Sequence, residues 1–117
     1  MSYQVQLFHR NTKERADKET NLADFFDSES NLAPFTKMQI KALTTKLELV
    51  GFEKKKGKGS TLRFENQELG AEAMLTDCGL YLSASGEDAI FEISMFASEW
   101  AGKDLLKYDP QAGGWEA

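Results

Sequence analysis

The spacing of apolar residues defines the best-specified stretch of the chain, residues 34–52. Ile40, Leu43, Leu47 and Val50 recur at three- and four-residue steps with Met38 placed in the same stripe, while Lys37, Lys41, Lys46 and Glu48 fall mostly opposite, which predicts a helix. Thr36 and Gln39 have capping-box spacing, and Phe35 and Ile40 are placed to staple its start. Gly51 in a left-handed conformation would end it and fold Phe52 back onto Leu47.

Elsewhere the period is two. Tyr3, Val5 and Leu7 alternate with glutamines, predicting a strand over 3–9. After Gly51, residues 52–56 and 61–65 predict two strands joined by the glycine-rich run 57–60, with lysines at the tip. Ala71, Ala73 and Leu75 alternate with Glu72 and Met74, and Leu80, Leu82 and Ala84 alternate with Tyr81 and Ser83, which extends a strand meander. Residues 86–101 fit both periods. Phe91, Ile93 and Met95 alternate, but Ala89, Ile90, Ile93, Phe96, Ala97 and Trp100 match the helical template over a longer window, and length decides for a helix. Ser85 with Asp88 resembles its cap and Gly102 its stop. Leu105, Leu106 and Tyr108 predict a last strand. Residues 10–19 are charged and nearly free of apolar side chains, which predicts a mobile loop, and Thr20 is placed to cap a short helix carrying Leu22, Phe25 and Phe26.

This order predicts an α+β fold with an antiparallel sheet, two longer helices on one face, and a ferredoxin-like-related arrangement with extra hairpin strands. A single domain spanning 1–117 follows from the length, at which a chain buries roughly two-thirds of its unfolded surface. No apolar run exceeds three residues and the start lacks a targeting pattern, so the expectation is a soluble cytoplasmic protein with no membrane contact. One cysteine, Cys78, excludes an internal disulfide and fits a reducing compartment.

The net charge of −5 is uneven: −2 over residues 1–32, +5 over 33–66 and −8 over 67–117. Lys54, Lys55, Lys56, Lys58 and Arg63 form the candidate polyanion site. The run around them fails as a phosphate loop, with five residues between Gly51 and Gly57 and Gly59 after the lysine where a hydroxyl belongs. An acidic chain without interleaved stacking aromatics argues against nucleic acid as partner. His9 and Cys78 are the only residues of their types, and no carboxylate pair has a catalytic context, so no catalytic residue, metal ligand or cofactor is expected. The acidic final third, with Glu72, Asp88 and Glu92 beside Met74, Tyr81 and Trp115, is the candidate protein-binding surface, suited to a basic partner. This reading makes the chain a non-catalytic inhibitor, adaptor or immunity-type module; the alternatives are polyanion or nucleic-acid binding through the Lys54–Lys58 hairpin and an enzyme with an unrecognised site.

The helix over 87–101 followed by Leu105-Leu106-Lys107-Tyr108-Asp109-Pro110-Gln111-Ala112-Gly113 resembles the ending of small uncharacterised bacterial α+β proteins, some similar to toxin-immunity proteins. The resemblance covers about a quarter of the chain. It implies a last strand that completes the sheet before Asp-Pro-Gln turns away, and it transfers no functional residue.

Overall fold

The alternating segments pair into an antiparallel sheet of seven strands in the order β2-β3-β4-β5-β1-β6-β7, as seen in a computed structural model that describes residues 3–18, 32–55, 61–102, 104–109 and 114–115. The strands are β1 (Tyr3–His9), β2 (Glu53–Lys55), β3 (Leu62–Asn66), β4 (Ala71–Leu75), β5 (Leu80–Ala84), β6 (Leu105–Asp109) and β7 (Gly114–Trp115). Three helices accompany them: α1 (Arg10–Asp17), α2 (Lys37–Leu49) and α3 (Glu87–Trp100). The fold is α+β. Strand β1 runs antiparallel to both of its neighbours, β5 and β6, so β5-α3-β6 is a split β-α-β unit. Strands β1 and β4 flank β5 in the same way, which gives the ferredoxin-like core β4-β5-β1-β6 with the β2–β3 hairpin added at one edge.

Val5, Leu7, Leu80 and Leu82 are fully buried on one side of the sheet, where Val5 lies opposite Leu82 and Leu7 opposite Leu80. Leu43 and Leu47 of α2 and Ile93 and Ala97 of α3 join the same cluster, so both longer helices cover this side. Each of the large side chains stabilises the fold by about 1.5–3 kcal/mol through burial.

The start and stop signals of α2 act as the sequence predicts. Thr36 Oγ1 accepts from the Gln39 amide at 3.1 Å and Gln39 Oε1 accepts from the Thr36 amide at 2.8 Å. Gly51 has φ +99°, its amide donates to the Glu48 carbonyl, and the Phe52 amide donates to the Leu47 carbonyl at 3.0 Å, the pair of bonds that defines a Schellman stop. Met38 departs from the expected stripe: it points outward and is 82% exposed.

Two further expectations are corrected. Residues expected as a loop over 10–19 are helical through Arg10–Asp17. His9 Nδ1 accepts from the Asn11 amide to cap α1, and the ion pairs Arg10–Glu14 and Lys13–Asp17 span one turn. Only Thr12 and Ala16 of α1 are buried, and Ala16 packs with Phe8 on the side of the sheet opposite α2 and α3. Helix α3 starts at Gly86 with no side-chain cap, so Ser85 and Asp88 do not form the expected capping pair. The short helix predicted after Thr20, the hairpin tip with Lys56 and Lys58, and the Asp-Pro-Gln turn beyond Asp109 lie outside the described residues.

Candidate functional site: the open face of the sheet

Strand alternation sends every second side chain away from the helical layer, and the register places these in rungs. Glu53, Glu65, Glu72, Ser83 and Gln4 follow one another across β2, β3, β4, β5 and β1. The neighbouring rung is Lys55, Arg63, Met74, Tyr81 and Gln6, continuing through Tyr108 to Trp115. Directly opposed side chains sit about 4.5–5.5 Å apart, and like charges so placed destabilise a sheet by up to about 1 kcal/mol per pair. Glu53–Glu65, Glu65–Glu72 and Lys55–Arg63 are all such pairs. Sheet stability therefore does not account for these residues. An ion pair from Lys55 to Glu53, at 3.6 Å, joins the two rungs at the edge.

A half-open groove of about 300 Å³ runs between the rungs, lined among others by Gln4, Arg63, Glu65, Glu72, Met74 and Tyr81. Its far end is walled by aromatic rings. Phe8 meets Tyr81 and Trp115 edge-on, each at 5.8 Å between ring centres, and Tyr108 meets Trp115 at 5.1 Å. Ala16 of α1 and Leu32 cover Phe8. Thr12 Oγ1, fully buried, accepts from the Ala33 amide at 2.8 Å and ties α1 to the segment that carries Leu32. Aromatic packing thus closes one part of this face and leaves the part over β2–β5 open.

The structure divides the expected protein-binding set. Glu72, Met74 and Tyr81 lie together on the open face, and Trp115 lies in the aromatic wall beside them. Asp88 and Glu92 are on α3, on the other side of the sheet, and do not belong to this surface. A strand pattern reveals which residues share a side but not which side a later helix covers. The polyanion set is divided as well: Lys55 and Arg63 reach the open face, while Lys54 lies opposite Phe64 on the helical side. Glu53, Glu65 and Gln4 complete the site and escaped the sequence reading. Their signal was the alternation within each strand, which becomes a rung only once the register is known.

Lys107, buried in β6 on the helical side, donates to the Ser94 and Ser98 hydroxyls of α3, the latter at 2.9 Å. This contact joins α3 to β6 and lies apart from the open face. His9 is occupied in capping α1, and Cys78 is partly buried and packed beside the aromatic wall. Among the described residues no cluster of His, Cys, Asp or Glu is arranged to hold a metal ion, and no helix is long and apolar enough to cross a membrane. The groove offers carboxylates, cations, a thioether, a phenol and an amide on an open surface. No family model, curated protein or solved structure matches the chain.

Proposed function

We propose that the chain is a non-catalytic protein-binding module whose contact surface is the open face of the sheet. The observation that carries this reading is the pair of adjacent rungs, Glu53-Glu65-Glu72 beside Lys55-Arg63-Met74-Tyr81. A partner segment laid along β3 and β4 would set basic groups against the carboxylates and an apolar side chain against Met74 and Tyr81. The same arrangement weighs against a polyanion, because three carboxylates flank the two cations and cancel the field that phosphate binding requires. The expected partner is a protein with a locally basic contact, met in a reducing compartment.

The test is a photo-crosslinking amino acid placed at position 74 in the full chain, followed by capture from the native lysate. The expected outcome is one discrete crosslinked protein that is lost in Glu65→Lys/Glu72→Lys and kept in Asp88→Lys/Glu92→Lys. Capture that ignores the sheet-face reversal would remove this surface. Retention on DNA or heparin at low salt, abolished by Lys55→Gln/Arg63→Gln, would instead favour the polyanion reading.

A further inference from the structure

Helices α2 and α3 bury their inner stripes against the same side of the sheet, so their outer stripes face the same way. Those outer stripes differ in charge. The exposed residues of α3 are Glu87, Asp88, Phe91, Glu92, Met95 and Glu99, four carboxylates around two large apolar side chains. Phe91 is 66% exposed and Met95 51%, and they stand one turn apart. The acidic first turn suits the helix dipole, but Glu99 in the last turn opposes it and that turn holds no basic residue, so the helix dipole does not account for the frame. On α2 the most exposed apolar residues, Met38 and Leu49, share one helix face; exposed Lys37 and Lys41 lie beside Met38 and exposed Glu48 beside Leu49, so this stripe carries a net positive charge of one where that of α3 carries four negative charges.

We propose that this helical layer is a two-fold interface between two copies of the chain, in which α2 of each copy packs on α3 of the other. An axis lying in the interface and running between the helices places the lysine-framed stripe of one copy over the acid-framed stripe of the other, and symmetry repeats the contact. An axis crossing the helices would stack lysine on lysine and carboxylate on carboxylate, so charge selects the first arrangement. The carboxylates also repel an anionic bilayer. Helices of 13 and 14 residues present a footprint of about 20 by 20 Å, about 400 Å² per copy, which is smaller than stable interfaces bury and fits a weak dimer that dissociates on dilution. The open sheet face stays outermost in both copies, so this inference stands or falls independently of the function proposed above.

Sedimentation equilibrium of the full chain from about 1 to 500 μM tests it. The mass of two copies is expected at the upper concentrations, with association about tenfold weaker when salt rises from about 0.05 to 0.5 M. Asp88→Lys/Glu92→Lys and Lys37→Glu/Lys41→Glu should each weaken it about a hundredfold, and an equimolar mixture of the two variants should restore the two-copy mass, because both contacts of the mixed pair regain opposite charges. Phe91→Ser/Met95→Ser, which changes no charge, should weaken association at least about tenfold. Glu65→Lys/Glu72→Lys, with the same charge change on the sheet, should associate as wild type. A single-copy mass for the wild type at every concentration overturns the proposal. So does a mixture that stays monomeric, an unchanged apolar variant, a sheet variant that dissociates equally, or a mass growing beyond two copies.

Discussion

Asn66 joins the exit of α2 to the turn after β3, and replacing it should loosen both at once. It is 3% exposed; its Nδ2 donates to the Val50 carbonyl at 3.2 Å and its Oδ1 accepts from the Leu69 amide at 3.0 Å. Asn66→Ala removes both bonds and strands a partly buried carbonyl, a cost of about 2–3 kcal/mol. Gly51→Ala strikes the same joint from the other side. An alanine there must hold φ +99°, and its Cβ would meet Asn66 Nδ2 at 3.3 Å. Gly70 supplies the control: its φ is +64°, and an added Cβ meets nothing within 4 Å. Gly70→Ala should then cost only the left-handed penalty of about 1–2 kcal/mol, and Gly51→Ala about 1 kcal/mol more. Urea unfolding of both single variants, and of Gly51→Ala in the Asn66→Ala background, measures the difference. Part of the Gly51 excess should vanish when Asn66 is absent, because that contact is then gone. Equal costs at Gly51 and Gly70, or full additivity with Asn66→Ala, would refute the reasoning.

Other expectations follow from the same contacts. Thr36→Ala should destabilise by about 1 kcal/mol by removing the acceptor for the Gln39 amide, read as a lower urea midpoint with an unchanged slope. Thr12→Val keeps the volume but strands the Ala33 amide, so stability should fall by about 1–3 kcal/mol and hydrogen exchange at Ala33 should accelerate. Phe8→Ala should cost about 3–5 kcal/mol and disturb the near-ultraviolet dichroism of Tyr81, Tyr108 and Trp115, whose rings it packs against. Leu82→Ala should cost about 2–5 kcal/mol while leaving that aromatic signal in place, since Leu82 lies on the opposite side of the sheet.

Helix α2 was legible from the chain because its cap, its stripe and Gly51 all state the same boundaries. The meander was legible because small and large apolar residues alternate with polar ones from Ala71 to Ala84, so one side had to be covered. Helix α1 was hidden for a physical reason: its buried side consists of Thr12 and Ala16, too small and polar to register as an apolar stripe, and its turn is held by ion pairs and by His9. Phe8 adjoins the same contact. It interrupts the alternation of β1 because α1 and Leu32 cover the side that would otherwise face water. The site was half legible. Glu72, Met74 and Tyr81 came together as the alternation implied, whereas Asp88 and Glu92 shared their charge but not their location, since composition carries no information about which side of a sheet a helix occupies.

Three methionines stand as separate reporters on these surfaces: Met74 on the open sheet face, Met38 on α2 and Met95 on α3. Methyl-labelled methionine spectra recorded with the captured partner therefore test the central claim directly. The account predicts that the Met74 resonance shifts or broadens on binding while Met38 and Met95 keep their positions. A partner that moves Met38 or Met95 and leaves Met74 untouched would contradict it.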